Sequence, residues 1–237
     1  MTAEEMYTIQ TDMKRYYEAW WENPQDPRSA IFDRLNRVVS GRFPQGDGKR
    51  ALDVGSGKGR IISLLRGTGY RVTAVELNEK FARGLRRRYP EVEVIEGDFN
   101  AVPVHGRFDM VTAIEFVQNL DREGLRKFLK KVSTLTNRLV ANISNKNSLH
   151  GFWTAFRGFQ KPFVHTYTPE EIERMLGEVG FQVTYTRGIG LLTPITLLSN
   201  FRWRIIPICI ARALNTIGDR VFPRFCHLYY LEAQRRS

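Results

Sequence analysis

The reading of this chain turns on Arg50-Ala51-Leu52-Asp53-Val54-Gly55-Ser56-Gly57-Lys58-Gly59-Arg60. A turn-rich segment (Pro44, Gly46, Gly48) precedes a short apolar run, and three alternate glycines then lead into the helical pattern Ile61, Ile62, Leu64, Leu65. This describes a buried strand, a tight turn and a helix start. Glycines let backbone approach a ligand closely, and the free amides of a helix start favour electronegative groups. A dinucleotide fingerprint needs its third glycine three residues after the second, where this chain has Arg60. A nucleoside-triphosphate loop needs Ser or Thr after Gly57-Lys58 and a glycine five positions before Gly57, but Gly59 and Leu52 stand there. Asp53, just before the turn, repels a pyrophosphate and suits a ligand carrying a positive amine or sulfonium.

The run Leu52-Asp53-Val54-Gly55-Ser56-Gly57-Lys58-Gly59 resembles the first motif of the class I S-adenosylmethionine-dependent methyltransferases. Residues 71–77 read as a second strand ending in Glu76, about 20 residues past the glycine loop, the spacing of a carboxylate that takes two ribose hydroxyls. By the resemblance, Leu77 lies against the adenine. Asn78 caps a helix through Phe81 and Leu85 with an arginine-rich outer face. Residues 92–99 form a third strand ending in Gly97-Asp98-Phe99. In the family an acid at the Asp98 position accepts from the adenine amine, and the amide of the next residue, here Phe99, faces a ring nitrogen. A fourth strand over 108–114 brings Ile114 and Glu115 to its carboxyl end, where open α/β sheets bind ligands. The family places an acid at the Glu115 position and often a histidine where this chain has Asn119; neither Asn119 nor Gln118 can act as a base. Further strands follow at 138–144, 181–185 and 226–233, and Thr168-Pro169-Glu170-Glu171 is a capping box with proline at the first helical position. The resemblance covers roughly residues 49–189. It implies a cofactor, S-adenosyl-L-methionine, held by Asp53, Gly55, Ser56, Gly57, Gly59, Glu76, Leu77, Asp98, Phe99, Ile114 and Glu115.

The alternation of strands and helices demands a doubly wound α/β fold with helices on both faces. With the resemblance, the expected sheet is seven-stranded and mostly parallel, its last strand antiparallel. At 237 residues the chain suits one domain. Residues 1–48 are its N-terminal helical cap, 49–144 its cofactor half and 145–237 its substrate half. The substrate half contains a lid at 145–168 and a helical insertion at 191–225 before the last strand. A hydrophobic content of 42% is ordinary for a folded soluble protein, and no apolar run reaches 18 residues. The N-terminal residues Glu4, Glu5 and Asp12 do not fit a signal-peptide core, and two cysteines make no disulfide framework, so the expected compartment is the cytoplasm.

Tyr16, Tyr17, Trp20 and Trp21 on the first helix either roof the pocket or dock that helix on the core. The lid carries His150 and His165, the two candidates for a general base; each is equally readable as a packing histidine. No metal site is expected, because His105, His150, His165 and His227 show no ligand spacing. The insertion mixes Leu197, Phe201, Trp203 and Ile205 with Arg202, Arg204, Arg212, Arg220 and Arg224. It reads as a packed substrate-side cap or as a peripheral contact with an anionic membrane. The expected activity is methyl transfer to an O or N atom of a small-molecule or lipid-like acceptor. A net charge of +11 keeps an RNA-directed methyltransferase or nucleic-acid binder open, although no RNA-binding module is visible. A methyltransferase-like scaffold without activity is the other alternative.

Overall fold

The computed structural model describes residues 11–15, 18, 29–152, 164–191 and 208–236. Tyr16, Tyr17, Trp20, Trp21, Leu197, Phe201 to Ile205 and the middle of the lid lie outside the described residues. The elements run α1 (Ser29–Ser40), β1 (Arg50–Val54), α2 (Arg60–Gly67), β2 (Arg71–Glu76), α3 (Glu79–Arg88), β3 (Glu93–Glu96), β4 (Met110–Ala113), α4 (Arg122–Leu135), β5 (Arg138–Ser144), α5 (Pro169–Glu178), β6 (Phe181–Ile189), α6 (Ile208–Val221) and β7 (Leu228–Arg235).

The seven strands form one sheet in the order β3-β2-β1-β4-β5-β7-β6. All neighbours from β3 to β5 pair in parallel, while β7 runs antiparallel to both β5 and β6. This is the doubly wound, mostly parallel sheet the sequence implied. The direction of winding reverses between β1 and β4, so the crevice at their carboxyl ends is where such sheets bind ligands.

Apolar side chains leave both faces of the inner strands. Leu52, Val54, Val75 and Val111 point to one core, shared with Phe128, Leu129 and Val132 of α4 and with Leu176 of α5. Ala51, Ala74 and Met110 point to the other, shared with Leu35 of α1, Ile62 and Leu65 of α2 and Leu85 of α3. Sheets covered on both faces bury continuous apolar strands, which is why β1 and β4 read as runs rather than as alternation.

Several boundaries differ from expectation: β4 spans Met110–Ala113 within the expected 108–114, and β7 spans Leu228–Arg235 rather than 226–233. β3 stops at Glu96, short of the expected 92–99 span, because Gly97 turns to φ 137° and the Asp98 carboxylate caps the amide of Asn100 at 2.9 Å. No α-helix joins β3 to β4; Pro103 and Gly106 hold that crossover as turns. β6 runs on to Ile189, past the expected 181–185, with a bulge between Val183 and Tyr185.

Candidate active site

The glycine loop does what its composition requires. Gly55, Gly57 and Gly59 have φ of 73°, 54° and 84°, a region side-chain-bearing residues avoid. A Cβ at Gly55 would also lie 2.6 Å from Cδ2 of Phe116. The amides of Gly55 and Ser56 donate to the Val75 carbonyl at 2.9 and 3.3 Å, tying the loop to β2. Gly59 is the N-cap of α2 and supplies no capping side chain, which leaves that helix start to a ligand.

Glu76 sits at the carboxyl end of β2 and is buried. Its Oε2 accepts the Gly57 amide at 2.7 Å and its Oε1 the Asn78 amide at 2.8 Å. Burial pushes its pKa up, and these amides oppose the shift. A carboxylate offers about four acceptor sites, so two remain for hydroxyls. Asn78 caps α3, and its Nδ2 donates to Glu18 at 2.8 Å, which brings Glu18 to this corner. Leu77 is half-buried beside it.

Asp53 is 1% exposed at the end of β1. Thr112 on β4 donates to its Oδ1 at 2.7 Å, while Oδ2 is buried with no partner among the described residues. Burial pushes its pKa up to about 6, against the pull of the Thr112 and Ser56 hydroxyls and the field of Arg60. Arg60, the first residue of α2, is half-buried near Asp53, Asp33 and Glu115, with its guanidinium carbon 5.7 Å from the centre of the Phe32 ring. Burial lowers its pKa and the three acids raise it, yet no acid or carbonyl among the described residues forms an ion pair or hydrogen bond with it.

Glu115 follows β4 at φ 60°, a strained conformation for a residue with a side chain. Asn142 on β5 holds it twice: Oδ1 accepts the Glu115 amide at 2.7 Å, and Nδ2 donates to the Glu115 carboxylate. Gln118 Nε2 donates to the same carboxylate at 3.0 Å. Burial raises the Glu115 pKa, and Gln118, Arg60 and Asn142 oppose it. Ile114 is buried in the core face. Asp98 is half-buried at the end of β3, whereas the Phe99 ring packs edge-on to Phe128 at 5.4 Å, leaving only its backbone to a ligand.

The two histidines part company. The His165 amide donates to the Gln118 carbonyl at 2.7 Å, which anchors it to the turn after β4. His150 instead packs on His227, ring centres 4.1 Å apart, beside the start of β7. Burial lowers the pKa of both, and that of His227 well below its usual value. Among the described residues no three His, Cys, Asp or Glu side chains gather as a metal site.

Arg60, Gln118 and Asn142 were not singled out as site residues from the sequence. Asn142 had a signal: it interrupts the apolar run Leu139-Val140-Ala141-Asn142-Ile143 and is fully buried. Arg60 had one too, as the residue that replaces the expected glycine.

A family described as a methyltransferase domain matches residues 51–138. The ribosomal RNA small subunit methyltransferase A of Synechococcus sp. (strain JA-3-3Ab) is 30% identical over 94 residues, 38% of this chain and 32% of that protein. The ubiquinone biosynthesis O-methyltransferase of Thiobacillus denitrificans is 29% identical over 109 residues, 43% of this chain and 47% of that protein. The matches thus span a third to a half of those relatives. The crystal structure of magnesium protoporphyrin IX methyltransferase from Synechocystis PCC 6803 with bound SAH superposes with a TM-score of 0.67 at 17% identity, covering 97% of both chains. Residues 51–138 thus match a methyltransferase domain, and the sheet order of the chain is the fold of the solved methyltransferase on which it superposes.

Proposed function

We propose that this chain binds S-adenosyl-L-methionine at the β1–β4 crevice and transfers its methyl group to an O or N atom of a small, lipid-like acceptor. The observation that carries the reading is that, among the described residues, the buried Oδ2 of Asp53 is partnerless beside the unpaired guanidinium of Arg60. An α-amino acid tail has one charge for each: its ammonium for Asp53 and its carboxylate for Arg60. The glycine loop, turned by the positive φ of Gly55, Gly57 and Gly59, cradles that tail with its backbone. The free acceptor sites of Glu76 suit ribose hydroxyls, Leu77 suits an adenine face, and Asp98 with the Phe99 amide suits its edge.

When bound, the cofactor supplies a methyl group already activated on sulfonium. The chain's own work is to hold the acceptor in line and exclude water. His165, anchored to the turn after β4 and neutral near pH 7, is the favoured group to take a hydroxyl proton. His150, oriented by His227, is the second candidate. Residues 145–168 act as the lid over the acceptor.

The acceptor class rests on the aromatic content of that lid and on the partial likeness to a ubiquinone-pathway O-methyltransferase. Formation of S-adenosylhomocysteine from S-adenosylmethionine in the presence of a panel of prenylated phenols, with the matching methyl ether, tests it; product with none of them, but with a nucleic acid, would replace it. That RNA-directed reading has its own support in the +11 charge and the 30% identity to an rRNA methyltransferase. A salt-titrated shift assay with rRNA fragments decides it.

The tail assignment has a separate test. Arg60→Gln should weaken S-adenosylhomocysteine binding by roughly ten- to a hundredfold while leaving its decarboxylated analogue unchanged. Equal loss for both ligands would remove Arg60 from the tail site.

A further inference from the structure

The last two turns of helix α6, residues 215–221, bury polar side chains and expose apolar ones. Asn215 and Asp219 are 5% and 2% exposed. Asp219 Oδ1 accepts the amides of Gly190 and Leu191 at 2.9 and 3.2 Å, and Oδ2 pairs with Arg34 of α1. Gly218 packs against Leu191 so closely that a Cβ would collide with it. Two apolar residues of these turns point the other way. Ile217 and Val221, one helical turn apart, are 60% and 59% exposed, and Phe222 and Phe225 follow at 52% and 55%. Over these residues the arrangement is the reverse of an ordinary amphipathic helix, which turns its apolar stripe to the core.

The exposure is also concentrated. Leu149 and Phe152 join these four to complete the exposed large apolar side chains among the described residues. They lie on the turn whose His150 ring packs on His227 and whose Asn145 side chain binds the carbonyls of Arg224 and Cys226, both at 2.9 Å. All six therefore border the 222–227 segment, at the sheet edge where Ser144 ends β5 and pairs with Leu228. That edge is also the carboxyl edge on which the cofactor crevice opens. A contiguous apolar face of this kind marks a surface that another body covers.

Charge selects the body. The chain carries +11. Lys146 and Arg220 are exposed at the rim of the face, while Arg224 is taken up by Glu170 and Glu173. Just ahead of α6 the sequence interleaves Phe201, Trp203, Ile205 and Ile206 with Arg202 and Arg204. A second copy would bring one basic rim against another, which repel; an anionic bilayer attracts both the cations and the apolar side chains between them. We propose that the α6–149/152 face docks on an anionic phospholipid surface, inserting Ile217, Val221, Phe222 and Phe225 into the headgroup boundary. Docking does not depend on the proposed reaction, but it would set the acceptor side of the crevice against the membrane from which a lipid-like acceptor comes.

The test is sedimentation of the full chain with vesicles, either phosphatidylcholine alone or equimolar phosphatidylcholine and phosphatidylglycerol, at low and raised salt. The expected result is sedimentation with the anionic vesicles only, reduced by salt. Ile217→Ser combined with Phe222→Ser should lower the bound fraction about tenfold without changing the melting temperature, since both sites are exposed. Arg220→Glu should lower the salt concentration at which vesicle binding is lost, so that binding weakens most at intermediate salt. Absence of sedimentation by the unaltered chain at low salt overturns the proposal, as does sedimentation that the double substitution leaves unchanged. A dimer dissociated by the double substitution, with no vesicle binding, would give the face to a second copy instead.

Discussion

Asp53 shows how a residue can be wrong for stability and right for binding. Its folded pKa of about 6 lies above the ordinary 3.8. Between about pH 4 and pH 6 the folded chain thus holds a proton that the unfolded chain has released, and ligand-free stability falls as pH rises through that window. The expected loss is of order 3 kcal/mol, and it levels off above the window. Asp53→Asn should remove this slope in urea denaturation and stabilise the ligand-free chain at pH 7.5 by about 1–2 kcal/mol. The same substitution should weaken S-adenosylhomocysteine binding at least about tenfold, because the ammonium loses its counter-charge. In the unaltered chain, affinity measured by calorimetry should decline as pH drops below about 6, where Asp53 takes up its proton. Gly55→Ala faces a positive φ and the Phe116 ring together, and should cost about 2–4 kcal/mol of stability by thermal denaturation. Asp53, Glu76 and the three glycines were legible in the sequence because chemistry and spacing fix them locally. Arg60 and Asn142 were not, because what they do depends on partners brought from β4 and β5 by the fold.

Among the elements, the strand-turn-helix around the glycine loop and the capped starts of α3 and α5 could be read directly. Asn78 and Thr168 accept from the amides they were expected to cap, and Asp121 does the same for α4. The last turn of β4 is different. Glu115 adopts φ 60° only because Asn142 grips both its amide and its carboxylate. Asn142→Ala should leave a buried acid and amide short of partners and destabilise the chain by about 2–4 kcal/mol in chemical denaturation. The end of helix α6 could not be oriented from the sequence for a related reason. Apolar spacing predicts which residues share a face, but not which face is inward, and here Asp219 is turned in by meeting Arg34 and two loop amides. Asp219→Ala should therefore cost about 3–5 kcal/mol, far more than Ile217→Ser on the exposed face of the same helix.

At the scale of the whole molecule, alternation of strands and helices made the doubly wound class legible, whereas the antiparallel last strand came only with the family resemblance and its place between β5 and β6 only with the structure. Nothing in the residues of β7 names its neighbours, since Glu232 becomes intelligible only once Arg42 and Arg138 have been brought to it at 2.7 and 2.9 Å. The strand order then explains why acids distant in sequence converge, for the reversal between β1 and β4 sets Asp53 and Glu115 on one crevice with Glu76 beside them. We propose that this crevice grips one nucleoside at both ends, and calorimetric titration of the full chain with S-adenosylhomocysteine at pH 7.5 is the test. We predict a single saturable site, weakened roughly a hundredfold in Glu76→Ala, with the fold retained by circular dichroism. A folded, unaltered chain that gives no binding heat and no ligand-induced rise in melting temperature, or a Glu76→Ala chain that binds as tightly as the unaltered one, would contradict it.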